Sequence, residues 1–355
     1  MVLGVGPKVE SPQTQRAEIS ASAEATKRGD APDKLEPSPK GALVQGVGTV
    51  GHVDADGTLR GDVIVKTADD VKKLSASGAK RITGRLIVAN TELFHLEGLA
   101  KIESAGAVEL RGNKRLALLG GLRGLKHVDK DVRIRENAAL ETTTGLSNLE
   151  RVGGRLEVAK NGTLSKVEGL EKLDSIGGDL EISDNPSLGD VALPSLRKTG
   201  GSVSVSGNPA LVAMDAPKLE EVGGRESRGD VSVDDNDRIE KLQLSKLKKV
   251  EGNLILSEGR LTDLEGLREV TTVSGSMRVV RQERLESMRG AGSLEVVGAD
   301  LELSENQALS TLEGLHSLRE IRGNLVSLQN PNLPEPAVQD LKTRVAVYGS
   351  VISPG

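Results

Sequence analysis

From about residue 60 the aliphatic positions fall into one recurring frame, G-x-Φ-x-Φ-x-x-N-x-x-L-x-x-L, commonly followed by G-L-x-x-L-x-x-V, where Φ is aliphatic. Four stretches carry it plainly: VGGRLEVAKNGTLSKVEGLEKLDSI, GGDLEISDNPSLGDVALPSLRKTG, GSVSVSGNPALVAMDAPKLEEV and GADLELSENQALSTLEGLHSLREI. Alternation such as Leu180-Glu181-Ile182 predicts a short strand with one face in a core and the other in solvent. Glycine two residues before the strand recurs at 61, 84, 106, 154, 178, 201, 229, 252, 275 and 323, which predicts a corner needing positive φ. An Asn column follows each strand, Asn90, Asn113, Asn137, Asn161, Asn185, Asn208, Asn236, Asn306 and Asn330, with Gly259 and Gln282 in two of its places. Steps along it are 23 or 24 residues, apart from 28 between Asn208 and Asn236. Buried Asn at that spacing suits an internal ladder that satisfies turn amides and carbonyls.

One such unit cannot bury its own apolar face, so the units must stack and the ends need caps. ADDVKKLSASG, residues 68–78, reads as one short helix with an acidic first turn and a closing Gly, and PEPAVQDLKTR, 334–344, as another with Pro in its first turn. Residues 8–41 are rich in Glu, Ala, Ser, Lys, Pro and Asp and too poor in large apolar side chains to offset ordering entropy. The expected organisation is a disordered leader or tether over 1–41, a Gly-rich linker over 42–58, the solenoid over 59–333 and a C-terminal cap over 334–355.

Composition agrees with a narrow core. Apolar residues make up 36% of the 355, with 42 Gly, no Trp, and Phe94 and Tyr348 as the only aromatics. Net charge is −5, from 47 basic and 52 acidic residues that are interspersed, which gives no field suited to a phosphate backbone. Nucleic acid is therefore not expected as a ligand. Cysteine is absent, which excludes disulfides, thiolate metal sites and cysteine nucleophiles. No apolar run reaches the roughly 18 residues of a transmembrane helix. The start, MVLGVGPKVES, is too short for a signal peptide, and Val5 stands where a lipoprotein signal needs Cys.

The motifs GDLEISDNPSL and GLEKLDSIGGDL, with the opening LRGDVIVKTADDVKKLSASGAKRITGRLIV, resemble the receptor L domain, a relative of leucine-rich repeats found in growth-factor receptors and in bacterial and fungal surface proteins. Here two residues separate Asn from the next Leu, as in Asn185-Pro186-Ser187-Leu188, where the leucine-rich-repeat consensus has one. The resemblance implies a mainly β fold, a right-handed parallel β-helix of 11–12 coils of 23–24 residues with short capping helices at both ends. Twelve strand starts fit either two fused L domains, divided at the irregularity over 223–230, or one extended solenoid. It further implies a ligand-binding surface protein of the cell envelope or a secreted one, the alternative being cytoplasmic.

Catalytic and cofactor motifs are weak. Gly46-Val47-Gly48-Thr49-Val50-Gly51 matches GxGxxG but lacks the strand and helix that a dinucleotide site requires. Asp54-Ala55-Asp56-Gly57 and Asp234-Asp235-Asn236-Asp237 cluster oxygens without the spacing of a calcium loop. His52, His95, His127 and His316 are scattered through repeat loops. No catalytic residue, metal or cofactor is expected. Outward strand positions read Ile87, Glu109, Arg133, Glu157, Glu181, Ser204, Ser232, Ile255, Arg278, Glu302 and Val326. Arg228-Gly229-Asp230 looks like an adhesion tripeptide, yet Gly229 is the column glycine and Asp230 takes the place of Asp62, Asp131, Asp179 and Asp300. The five extra residues before it form a loop bearing Arg225, Glu226 and Arg228. Candidate binding residues are therefore Arg133, Glu157, Glu181, Arg225, Glu226 and Arg228. The expected function is a monomeric, non-enzymatic recognition or adhesion module for a protein or glycan, the alternatives being a carbohydrate-active β-helix enzyme or a structural spacer.

Overall fold

The computed structural model describes residues 52–224 and 227–353; the expected leader over 1–41, the GxGxxG stretch, Arg225 and Glu226 lie outside them. The described chain is a β solenoid. Its principal sheet has 24 strands, paired in parallel from coil to coil at steps of one repeat. Each coil contributes a main strand, such as Leu180–Ser183, and a shorter strand before it, such as Ser175–Ile176, separated by a Gly corner. A third wall closes the triangle. In the middle coils it is a four-stranded sheet of Lys166–Val167, Asp190–Ala192, Ala213–Asp215 and Lys241–Gln243. Elsewhere 3₁₀ turns replace it, at Glu97–Leu99, Gly120–Leu122, Thr144–Leu146 and Glu265–Leu267.

Leu, Val and Ile from all three walls fill one continuous core. Close stacking explains the glycine of each G-L pair. A Cβ on Gly121 would stand 1.6 Å from the Leu96 carbonyl oxygen, and one on Gly145 1.9 Å from that of Leu119.

Helix α1, Ala68–Ala76, starts at a capping box: Thr67 Oγ1 accepts the Asp70 N–H at 3.2 Å and Asp70 Oδ2 accepts the Thr67 N–H at 2.9 Å. Val71 and Leu74 bury its inner face. Helix α2, Glu335–Arg344, has Pro at its start and buries Val338 and Leu341. The sheet reaches further in both directions than the expected solenoid limits. Val53 bridges Leu59, and after α2 the strands Ala346–Val347 and Val351–Ile352 pair with Glu320–Ile321 and Leu325–Val326. Parallel pairing also continues across the insertion, Val203–Ser206 with Val231–Asp234 and Glu221–Val222 with Lys249–Val250.

The buried ladder follows the Asn column with one correction. From Asn137 to Asn236, and again at Asn330, the Asn side-chain oxygen accepts the backbone N–H of the Asn one coil earlier, as Asn137 does from Asn113 at 3.2 Å and Asn185 from Asn161 at 3.0 Å. Each amide nitrogen reaches back to a strand carbonyl, as Asn161 does to Ile134 at 2.9 Å. Asn90 is not a rung. Thr91 holds that place and donates its N–H and Oγ1–H to Asn113 Oδ1 at 3.1 and 2.8 Å. Asn90 instead has φ 55°, in a column shared with Gly112, Glu136, Lys160, Asp184, Gly207, Asp235, Glu258, Arg281, Glu305 and Gln329. Asn tolerates the left-handed region unusually well, so it fits both columns.

The reading of the corner glycines needs a different cause. Of that column only Gly61 has φ in the left-handed region, at 91°. The others are required by approach: a Cβ on Gly154, Gly201, Gly252 or Gly323 would lie 2.0–2.3 Å from the side-chain oxygen of Asp131, Asp179, Asp230 or Asp300. Those oxygens form a second ladder. They accept backbone N–H groups of Arg155, Ser202, Asn253 and Asn324 at 2.9, 2.9, 2.6 and 2.7 Å.

Candidate functional site

The register that buries Val108, Val132, Leu156 and Leu180 necessarily turns their successors outward, so Glu109, Arg133, Glu157 and Glu181 stand opposite one another on four consecutive strands. Neighbouring strands lie roughly 4.8 Å apart, which brings these side chains within ion-pairing reach. Two further outward columns join them. Arg111 and Arg135 lie two residues beyond the central column, and Asp131, Arg155 and Asp179 two residues before it.

The result is a band of alternating charge. Arg155 bridges two coils, with Nη1 3.1 Å from Glu181 Oε2 and Nη2 3.0 Å from Asp179 Oδ2. Arg133 Nη2 lies 3.2 Å from Asp131 Oδ2, and Arg111 Nε 3.5 Å from Glu109 Oε1. Glu157 sits at the centre, 3.7 Å from Arg133 Nε and 3.8 Å from Arg135 Nη1. Although it points out of the sheet it is only 8% exposed. Burial first, and the neighbouring Glu181 second, push its carboxyl above the ordinary carboxylate value, against the pull of Arg135, Arg133 and Arg155. The band therefore holds one partly desolvated acid inside a frame of guanidinium groups.

Arg133, Glu157 and Glu181 are thus brought together, while Arg228 is not. It is exposed at the corner before Val231–Asp234, three strands on from Leu156–Ala159 and about 14 Å along the sheet. Gly223 and Arg228 form an antiparallel bridge that pinches the inserted loop at its base. The adhesion tripeptide is structural: Gly229 is buried and Asp230 Oδ1 is occupied by the Asn253 N–H at 2.6 Å. Asp62, in the second Arg-Gly-Asp, accepts the Arg85 N–H at 2.8 Å and the Arg85 side chain at 2.7 Å.

The oxygen clusters are engaged locally. Asp56 accepts the Thr58 N–H at 3.0 Å, Asp54 pairs with Arg60 at 3.0 Å, and Asp234 bonds Ser257 of the next coil. Among the described residues no group of three or more His, Asp or Glu side chains is placed to hold a metal ion. His127 lies 3.8 Å from Glu150 on the next coil, and His95 packs edge-on against Phe94 at 6.4 Å between ring centres.

Arg135 and Arg155, which complete the charged band, escaped sequence reading because only the central outward column was followed. Phe94 and Leu118 were also missed. Both are exposed on adjacent coils of the third wall, where His95 bridges Leu118.

No family model matches the chain, and no curated protein matches it. A solved leucine-rich-repeat protein of Leptospira interrogans is similar at 15% identity, covering 81% of this chain and 89% of that one, with a TM-score of 0.27.

Proposed function

We propose that the chain is a non-enzymatic recognition module of the receptor L-domain kind, binding a protein or glycan through the outward face of its principal sheet. The observation that carries this reading is the in-register band of Glu109, Arg133, Glu157 and Glu181 with Arg135 and Arg155 beside it. A rigid parallel sheet fixes the spacing of those charges, so little side-chain order remains to be imposed on binding. Mixed charge and the lack of stacking aromatics favour a protein ligand over a bare polysaccharide. In this reading the solenoid is right-handed and continuous, α1 and α2 cap its ends, and residues 1–41 are a leader or tether, joined by the Gly-rich linker, that holds it at a cell envelope or surface or in a secreted form.

A structural spacer is the second reading, favoured by the pairing of these charges with one another. Glycan-array and pull-down binding with the wild-type chain and with Arg133→Glu and Glu181→Lys distinguishes the two. Recognition requires at least a tenfold loss of affinity in both variants and weaker binding as salt rises. Binding that ignores both substitutions removes the charged band from the function, and release of reducing ends from a bound glycan would replace it with an enzyme.

A further inference from the structure

Outward arginines of the principal sheet are tied to carboxylates by short contacts. Arg85 Nη2 lies 2.7 Å from Asp62 Oδ2, Arg155 lies 3.0 and 3.1 Å from Asp179 and Glu181, and Arg278 Nε lies 2.8 Å from Glu302 Oε2. Arg111 is held differently. Its Nε is buried without a hydrogen bond among the described residues, and its ion pair with Glu109 is 3.5 Å long. A charged donor left in that state keeps most of its capacity to bind an anion.

The register then sets this guanidinium beside a second one. Arg111 pairs with Arg135 on the next strand, while Ala89 before them and Ala159 and Ser183 after them fill the same column, so that stretch of it holds no carboxylate. Neighbouring strands lie roughly 4.8 Å apart. Two like charges directly opposite one another destabilise a sheet by themselves, and an oxyanion bridging them would relieve the repulsion. Arg135 Nη1 does lie 3.8 Å from Glu157 Oε1, but burial disposes that carboxyl toward its neutral form. The side chains of Arg111 and Arg135 are 33% and 22% exposed, so both can be reached from solvent.

We propose that Arg111 and Arg135 form a clamp for one carboxylate, the side chain of an acidic residue on a protein partner. The inference rests on the recognition reading above and names the group that one end of the charged band would hold. Planar guanidinium groups match a carboxylate by paired N–H donors, which lysines in the same places could not do. Glu109, Asp131, Glu157 and Glu181 surround the clamp and repel a uniformly acidic chain. The partner therefore presents an acidic side chain between basic ones, whose positive charges meet those four carboxylates.

The test is an NMR titration of the isotope-labelled full chain with acetyl-Lys-Glu-Lys-amide and with acetyl-Lys-Gln-Lys-amide, followed at the arginine Nε–H resonances. The Glu peptide is expected to move the Arg111 and Arg135 resonances along a saturable curve, and the Gln peptide to move neither. Arg111→Gln and Arg135→Gln should each weaken binding by about tenfold, the worth of one charge-assisted hydrogen bond. Arg278→Gln, which removes a guanidinium already engaged by Glu302, should leave the titration unchanged. Resonances of Arg111 and Arg135 that stay still, or that move equally with both peptides, would overturn the proposal. A heparin-derived tetrasaccharide that binds more tightly than the Glu peptide would overturn the protein partner in favour of a polyanionic glycan. Should either variant lose its far-UV spectrum, the wild-type titration alone decides. Partner capture that Arg133→Glu and Glu181→Lys abolish, with the two clamp variants capturing as the wild type does, refutes the clamp and leaves the recognition module standing. A clamp that titrates as expected in a chain that captures no partner refutes the module instead.

Discussion

Replacing Asn185 by Ala tests the internal ladder at its centre. Its Oδ1 accepts the Asn161 N–H and Nδ2–H at 3.0 and 3.2 Å, and its own Nδ2 serves the carbonyls of Val158 and Ser183 and Asn208 Oδ1 at 3.0, 2.9 and 3.2 Å. The side chain is fully buried. Truncation deletes all five bonds. Asn161 Nδ2 keeps the Ile134 carbonyl at 2.9 Å, but the Asn161 backbone N–H is left in the core without its acceptor. A net hydrogen bond is worth ~1 kcal/mol and an orphaned buried group costs ~1–3 kcal/mol, which together place the loss at about 3–5 kcal/mol. Urea unfolding followed by far-UV circular dichroism measures it, since the chain has no Trp to report by fluorescence. Asn332→Ala is the control: exposed, with one bond to the Gln307 carbonyl at 2.8 Å, it should lose less than about 1 kcal/mol. If the two variants differ by under ~1 kcal/mol at equal denaturant slope, the ladder does not hold the coils together.

Asn90→Ala should cost only about 1 kcal/mol, the strain of Ala at φ 55°, whereas Asn113→Ala should match Asn185→Ala; equal losses in urea would restore Asn90 to the ladder. Gly121→Ala is expected to leave little folded protein, because the 1.6 Å approach to the Leu96 carbonyl involves backbone on both sides, and a melting temperature near wild type would contradict it. Glu157 makes a signed prediction with pH. Its folded carboxyl is raised above 4.5, so the folded state holds that proton more tightly, and the associated stability is lost as pH rises from 4.5 through the folded value. Glu157→Gln should abolish that part of the slope in urea midpoints measured against pH, and identical slopes would count against it. Deleting residues 334–355 should lower solubility by uncovering the core beneath Val338 and Leu341, and a soluble deletion at the single-chain mass would show that α2 is no cap.

The repeat was legible because stacking imposes it at every coil. Leu180 and Ile182 must face inward and Glu181 outward, and no tertiary detail is needed to say so. What escaped was whatever two columns share. Asn90 fits a left-handed turn as well as a rung, and only the paired strands Arg81–Ala89 and Ser104–Arg111 fix which it occupies. Lys160 and Arg281 show the converse, since neither residue type announces φ near 55°. Such backbone strain, about 1 kcal/mol per residue, is held in place by the buried Asn that follows or by its substitute. The corner glycines were found for the wrong reason, because a single chain reveals a missing Cβ without revealing the Asp oxygen that would collide with it. The charged band was half visible: Arg133, Glu157 and Glu181 follow from period alone, but Arg155 joins them only through its reach to Asp179 and Glu181 on the next coil.

The ladder also sets where the molecule is mechanically weakest. Rungs run from Asn113 to Asn236 and resume at Gln282, whose N–H donates to Asn306 at 2.9 Å; between them stands Gly259, which has no side chain to offer. Asn236 turns its amide back to Val205 and Asp234, and Gln282 Oε1 reaches only Leu261, at 3.3 Å. The inserted loop enters the same coil as Asn236. A pull along the solenoid axis would therefore load an unbroken line of amides on either side and concentrate strain between Val231–Asp234 and Leu254–Gly259. Rupture under force would begin there, separating a longer segment bearing the charged band from a shorter one that carries α2.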